Sequence, residues 1–119
     1  MTMKLKILSV ALLLSSLVTT TGAQTRELTV RNFEFWKTSE NPVFDLSIKV
    51  MQESFLYANL TLTFDGRSPI YCQPSRLTLT LSASLEILDK EMRMTTRAPD
   101  APLSLVFLDG LRRTFPCGK

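Results

Sequence analysis

The feature that most constrains this chain is its N-terminus, which has the pattern of a secretory signal peptide. Lys4 and Lys6 form a positive start, and an apolar run broken only by small serines follows over residues 7–18. Such a run matches a signal-peptide core, whereas a helix that crosses a bilayer needs about 20 apolar residues. We predict cleavage between Ala23 and Gln24, after a series of small residues. An uncleaved N-terminal anchor helix is the alternative.

Removal of the signal (residues 1–23) leaves residues 24–119 as one exported domain, a usual length for a single core. No second apolar segment is long enough to span a bilayer, so we expect no stable membrane insertion after cleavage. The whole chain has 14 Lys and Arg against 11 Asp and Glu, and loss of two lysines leaves 12 against 11. Because nucleic-acid binding needs a clustered basic face, this balance gives no reason to expect nucleic acid as a partner.

The two cysteines of the chain, Cys72 and Cys117, both lie in the exported part. In an oxidising compartment a single pair of cysteines usually forms a disulfide. Closing a loop of about 46 residues contributes about 4 kcal/mol in the chain-entropy description, which is a large share of a small domain's stability. We therefore predict a Cys72–Cys117 disulfide; two free thiols are the alternative.

The spacing of apolar residues predicts helices over most of the domain. Thr29, Asn41 and Thr80 are suited to cap helices, and Pro42 is suited to the first helical position after Asn41. A last helix is expected to begin near Pro102. The expected core faces contain Val30, Phe33 and Trp36; Phe44, Ile48, Met51 and Phe55; Leu81, Leu85, Leu88 and Met92; and Leu103, Val106, Phe107, Leu111 and Phe115.

Two runs with a period of two favour a different structure. Residues 60–64 and 77–81 alternate an apolar residue with threonine, which is typical of strands, and Asp65-Gly66 after the first run is typical of a turn. The main expectation is an all-α bundle of about four helices with one disulfide. The alternative is an α+β domain with a short hairpin near residues 60–81.

The sequence contains no histidine, which removes Ser-His and Cys-His nucleophile pairs and most zinc-site patterns. We predict no catalytic, cofactor or metal site and do not expect an enzyme. Asp45, Glu86 and Asp89 are expected to lie on solvated helix faces. Asp109 is expected to form a surface ion pair with Arg113, four residues later.

Several short motifs surround the two cysteines. The chain reads Tyr-Cys-Gln-Pro at 71–74, Leu-Thr-Leu-Thr at 77–80 before a helical pattern, Pro-Asp-Ala-Pro-Leu at 99–103 and Phe-Pro-Cys at 115–117. In these motifs the chain resembles the Rap/Tai family, the immunity proteins paired with amidase effectors of type VI secretion systems. The resemblance covers roughly residues 43–117.

The resemblance implies a small all-helical periplasmic protein whose cysteines are bonded. It also implies that residues 60–64 end a long helix and that residues 77–79 form a loop. The implied function is binding to a secreted peptidoglycan amidase and blocking its active site, either as a monomer or as a homodimer. The second hypothesis is a periplasmic structural or envelope-assembly module without an amidase partner. Candidate partner contacts, chosen by expected exposure and residue type in the proline-containing segment, are Arg67, Tyr71, Gln73 and Arg76.

Overall fold

The computed structural model describes residues 28–118, and within that range it contains four α-helices and no β-strand. The predicted signal peptide, with Ala23 and Gln24 at its cleavage site, lies outside the described residues. The prediction of an all-α bundle is confirmed. A 3-10 turn over Val30–Asn32 leads into α1 (Phe33–Thr38), which is followed by α2 (Pro42–Phe64), α3 (Leu81–Met94) and α4 (Leu103–Thr114).

Two of the predicted helix caps are confirmed. The Asn41 side chain accepts a hydrogen bond from the Val43 amide at 2.9 Å, and Pro42 occupies the first position of α2. The Thr80 hydroxyl accepts one from the Ala83 amide at 3.1 Å at the start of α3. Each cap satisfies an amide that has no partner within the helix, so both helix starts follow from local sequence.

The expected helix cap at Thr29 is not formed. Its side chain makes no capping hydrogen bond, and Thr29 instead forms an isolated antiparallel bridge with Pro102. Beside this bridge the Leu103 amide donates to the Leu28 carbonyl at 2.8 Å. The beginning of the described chain is therefore fastened to the start of α4.

The hairpin alternative is wrong. Residues 60–64 form the last turns of α2, and residues 77–80 form the loop that enters α3. The helix ends at Phe64, and two residues later Gly66 has a φ of 70°, the left-handed conformation that glycine adopts without strain. The Arg67 amide donates to the Leu62 carbonyl at 2.8 Å, which completes a Schellman-type end.

The leucine–threonine alternation is compatible with a helix because the threonine hydroxyls find partners within it. Thr61 and Thr63 donate to the carbonyls of Tyr57 and Asn59, one turn earlier, at 2.9 and 3.0 Å. The period of two therefore predicted the wrong structure, and the long helix implied by the family resemblance is the one observed.

The core lies between α4 and the inner faces of α2 and α3, and α3 and α4 form the most extensive contact between helices. Gly110 permits their close approach, because a Cβ atom at that position would lie 2.6 Å from Ile87 Cγ2. Buried apolar residues of the core are Phe33, Phe44, Ile48, Tyr71, Leu79, Ile87, Leu88, Leu103, Val106, Phe107 and Leu111.

The buried face of α3 differs from the predicted one. Leu88 is fully buried as expected, but Ser84, Ile87 and Glu91 share the buried face with it. The other predicted residues of this face, Leu81, Leu85 and Met92, are partly buried. The helix is therefore rotated toward the side that meets Gly110 of α4. The predicted face of α4 is confirmed, with Phe115 partly buried at its end.

The predicted disulfide between Cys72 and Cys117 is confirmed, with the two Cα atoms 4.8 Å apart. The Cys72 amide also donates to the Phe115 carbonyl at 2.8 Å. The bond therefore fastens the segment between α2 and α3 to the end of α4.

Candidate protein-interaction site

The segment between α2 and α3, residues 65–80, is termed the tethered loop. It contains Pro69 and Pro74, which interrupt helical hydrogen bonding, and none of its residues is helical. The disulfide at Cys72 fixes its centre to the C-terminal part of the domain. Since loops on rigid scaffolds often carry binding residues, its geometry bears directly on function.

Asn59 of α2 holds the first half of the tethered loop. Its Nδ2 donates to the Tyr71 carbonyl at 2.7 Å, and its Oδ1 accepts from the Ile70 amide at 2.7 Å. The residue is 7 % exposed, so both bonds are shielded from water. This role of Asn59 was not predicted. The signal available in the sequence was a polar residue on the helix face that also carries Phe55.

The second half of the tethered loop is held by further side-chain contacts. Gln73 Nε2 donates to the Leu77 carbonyl at 2.6 Å, and the Leu77 amide donates to Pro74 at 2.9 Å. Gln52 of α2 donates to the Leu79 carbonyl at 3.0 Å. The backbone is thus fixed at several points, so little ordering would accompany binding of a partner here.

The four candidate contact residues differ in accessibility. Arg67 and Arg76 are exposed, and Gln73 is partly buried with its amide used inside the loop. Tyr71 is 2 % exposed, and burial raises the pKa of its phenol. The expected exposure was therefore wrong for Tyr71, whose ring belongs to the core. The two arginines are exposed as expected.

Two apolar side chains accompany the exposed arginines. Ile70 and Leu77 are exposed to 37 % and 42 %. The tethered loop therefore exposes Arg67, Ile70, Arg76 and Leu77 on a fixed backbone. Arginine beside apolar contact area is a common composition for the energetically important part of a protein interface.

A charged cluster at Glu91 has a structural role. Glu91 is 1 % exposed, and its Oε1 and Oε2 accept hydrogen bonds from Arg97 at 2.7 Å and Arg113 at 2.9 Å. The hydrogen bond from Arg113, followed by that from Arg97, lowers the pKa of Glu91 against the opposing effect of burial. The two guanidinium groups thereby compensate a carboxylate removed from water.

The expected ion pair between Asp109 and Arg113 is wrong, because each residue has a different partner. Asp109 accepts a hydrogen bond from Arg97 at 2.7 Å, while Arg113 is directed to Glu91. The hydrogen bond that Arg97 donates to Asp109 is the largest influence raising the pKa of Arg97. Arg113 pairs with Glu91, although Asp109 is only four residues away. Glu91 is buried, so leaving its charge without positive partners would cost more free energy than leaving that of the partly exposed Asp109.

The remaining carboxylates singled out in the sequence form no cluster for chemistry. Glu86 is exposed, Asp45 is partly buried, and Asp89 accepts a hydrogen bond from Lys37 of α1 at 2.9 Å. This bond is the main cause of the raised pKa of Lys37. Among residues 28–118, no group of three or more His, Cys, Asp and Glu is placed to hold a metal ion.

The side of α2 that faces away from the core carries a second candidate surface. Its six apolar residues, termed the outer stripe, are between 42 and 87 % exposed. Contiguous apolar surface of this kind commonly marks an interaction site in proteins. No helix within the described residues is long and apolar enough to cross a membrane. The outer stripe consists of Val43, Leu46, Val50, Tyr57, Leu60 and Phe64.

Comparison with known proteins returned no matching family model, no matching curated protein and no matching solved structure.

Proposed function

We propose that this chain is an exported, periplasmic immunity-type protein that binds and blocks a peptidoglycan amidase effector of a type VI secretion system. The class of partner rests on the resemblance of the cysteine-centred motifs to the Rap/Tai family. The structural observation that supports a binding role is the tethered loop. It displays arginine and apolar side chains on a backbone fixed by Asn59 and by the Cys72–Cys117 disulfide.

A fixed loop can block an enzyme without doing chemistry. When it occupies the substrate cleft it excludes the peptidoglycan chain, and it remains uncut if it offers no bond in the reactive position. Holding the loop in advance reduces the ordering cost, which is about 0.5–1.5 kcal/mol for each immobilised flexible side chain. We assign the principal contacts to Arg67 and Arg76, supported by Ile70 and Leu77.

The first test is capture of the partner. The tagged full chain, exported by its own host, is expected to co-purify a secreted cell-wall amidase, and a gene for such an enzyme is expected beside its own. Deletion of the gene is expected to make cells sensitive to neighbours of the same strain. If no cell-wall hydrolase is bound and the deletion leaves sensitivity unchanged, the immunity proposal is wrong.

The second test locates the contact. Reversing both loop charges, Arg67→Glu with Arg76→Glu, is expected to weaken amidase binding at least about tenfold, because charged hydrogen bonds contribute about 1.5–3 kcal/mol each. Arg93→Glu is the matched control, since Arg93 is exposed near the other end of α3. Calorimetric titration measures all three proteins. Equal affinities would refute the loop as the contact while leaving the partner itself established.

A further inference from the structure

A cleft lies between the tethered loop and the end of α4. Its volume is about 520 Å³, within the range of about 300–1,000 Å³ that is usual for ligand sites. The loop contributes one apolar side chain to the lining, and the second half of α4 with the residues that follow it contributes the rest. The cleft, termed the arginine cleft, is lined by Ile70, Asp109, Arg112, Arg113, Pro116 and Cys117.

The two walls of the arginine cleft are held together before any partner arrives. The disulfide joins the tethered loop to Cys117, and the Cys72 amide donates to the Phe115 carbonyl at 2.8 Å. On the loop side, the Ile70 amide donates to Asn59 Oδ1 at 2.7 Å. Because these contacts fix the loop against α4, little ordering of the backbone would accompany binding in the cleft.

The charges beside the arginine cleft do not balance. Glu91 accepts hydrogen bonds from Arg97 and Arg113. Asp109 accepts one from Arg97 at 2.7 Å. The ion pair between Arg112 and Asp109 spans 3.7 Å from Nη1 to Oδ1, which is too long for a hydrogen bond. Three guanidinium groups are therefore gathered around two carboxylates, and one positive charge is left without compensation.

The two arginines of the cleft have hydrogen-bond donors available to a ligand. The Arg112 side chain is 60 % exposed. Arg113 is 49 % exposed and bonds Glu91 through Nε and Nη2, which leaves its Nη1 for another acceptor. A guanidinium presents five N–H donors in a planar fork that matches the two oxygens of a carboxylate. The cleft therefore offers both the charge and the donors that an anionic group requires.

The rest of the lining favours a carboxylate of a protein chain. A phosphate monoester carries a charge of about −1.5 to −2 at pH 7, so Asp109 in the wall would repel it more strongly than it would repel a singly charged carboxylate. Ile70 and Pro116 provide apolar contact area beside the arginines. An acidic residue with an apolar neighbour matches both the charge and the lining.

We propose that the arginine cleft is a carboxylate-binding site, into which the protein partner inserts an aspartate or glutamate that accepts hydrogen bonds from Arg112 and Arg113. This carboxylate would bring the group to three positive and three negative charges, and the apolar neighbour would pack on Ile70. The assignment of the acidic residue to an amidase rests on the proposed function. The preference of the cleft for a carboxylate does not.

Short peptides test the site without the amidase. The probe is acetyl-Leu-Glu-Leu-amide, and acetyl-Leu-Gln-Leu-amide is the matched peptide of the same shape without the charge. Each is titrated at millimolar concentration into the chain without its predicted signal peptide, residues 24–119, and the arginine Nε–H signals are followed by NMR. The glutamate peptide is expected to shift the signals of Arg112 and Arg113 with a Kd at least about tenfold lower, because charged hydrogen bonds are the stronger ones.

A pair of matched variants locates the binding. Arg112→Gln is expected to remove the difference between the two peptides, and its fold should be intact because the side chain is 60 % exposed. Arg93→Gln, at an exposed position of α3, is expected to keep the difference. Equal binding of the two peptides by the native chain, or a difference that persists in Arg112→Gln, would overturn the site.

Two further titrations identify the source of the anion. Inorganic phosphate and vesicles of phosphatidylglycerol are expected to shift the same signals less than the glutamate peptide does. A larger shift with either one would overturn the assignment to a protein carboxylate.

The amidase itself separates this proposal from the proposed function. Arg112→Gln is expected to weaken its binding about tenfold, and Arg93→Gln is expected to leave it unchanged. An amidase that binds both variants as tightly as the native chain would overturn the cleft as its contact, while the proposed function would stand. If no amidase binds the native chain, the proposed function is wrong, and the peptides still decide whether the cleft binds a carboxylate.

Discussion

Replacing Glu91 by glutamine is expected to destabilise the domain strongly while leaving its fold recognisable. Both carboxylate oxygens accept hydrogen bonds from guanidinium groups, and the side chain is 1 % exposed. The glutamine has nearly the same size, but it has no charge and replaces one acceptor oxygen with an NH₂ donor. Arg113 would therefore lose its main compensating charge, and Arg97 would lose one of its two carboxylate partners.

The magnitude follows from how deeply each partner is buried. Breaking a buried ion pair by removing one member costs about 3–5 kcal/mol. Here the Arg113 side chain is 49 % exposed and Arg97 keeps its bond to Asp109, so we expect about 2–3 kcal/mol. For a domain of this size that corresponds to a fall in Tm of roughly 8–24 °C.

Urea unfolding followed by circular dichroism at pH 7 measures this loss. Glu86→Gln is the matched control, because it makes the same substitution at an exposed position of α3. The reasoning is refuted if the two variants differ by less than about 0.5 kcal/mol, which is the usual effect of a surface substitution.

The same variant has a characteristic pH dependence. The folded-state pKa of Glu91 is lowered, so its stabilising contribution is complete above the unfolded-state pKa of about 4.3 and is lost as the pH falls through the folded-state pKa. The native chain should therefore lose stability on acidification below about pH 4, and Glu91→Gln should lose less over the same range. Equal acid dependence in both proteins would contradict the role of this carboxylate.

Two further predictions test the helix contact and the disulfide. Gly110→Ala is expected to lower the free energy of unfolding in urea by about 1–3 kcal/mol, because its Cβ would lie 2.6 Å from Ile87 Cγ2. Gly118→Ala is the control, since no atom lies within 4 Å of the added carbon. Equal stability of the two variants would contradict the close contact. Replacing Cys72 and Cys117 by serine is expected to cost about 2–5 kcal/mol. In thermal melting, a reducing agent should lower the Tm of the native chain and leave that of the double variant unchanged. A native chain whose Tm does not change on reduction would disprove the stabilising role of the bond.

Features governed by neighbouring residues were predictable from the sequence. The Asn41 and Thr80 caps need only a side-chain oxygen at the correct position before a helix. The buried face of α4 follows from the regular spacing of its apolar residues. The disulfide follows from there being one pair of cysteines in a domain that the sequence predicts to be exported, which is a constraint of composition and expected compartment.

Features governed by residues far apart in the chain were not predictable. Glu91 lies on the buried face of α3 because Arg97 and Arg113 converge on it from positions six and 22 residues away. Asn59 reads as an ordinary polar helix residue until the tethered loop is placed against it. The strand-like run at residues 60–64 was misleading because the threonine hydroxyls bond within the helix.

The candidate site was predicted only in part. Residue type and the prolines indicated a loop, and two of its four candidate contacts, Arg67 and Arg76, are exposed. The burial of Tyr71 depends on how the loop folds over α2, which one sequence does not reveal. The outer stripe was not predicted, because its residues belong to an apolar segment whose secondary structure was ambiguous. The sequence alone does not show which side of α2 meets the core.

The most direct test of the account is an inhibition titration with the purified protein, residues 24–119, and the proposed partner, a secreted amidase expected to be encoded beside it. Release of peptide from peptidoglycan is followed as the protein is added at fixed enzyme concentration. The account predicts that hydrolysis falls in proportion to the added protein and stops near an equimolar ratio of chains, and that the Arg67→Glu, Arg76→Glu variant requires a large excess. Hydrolysis that continues unchanged at a large excess of the native protein would contradict it.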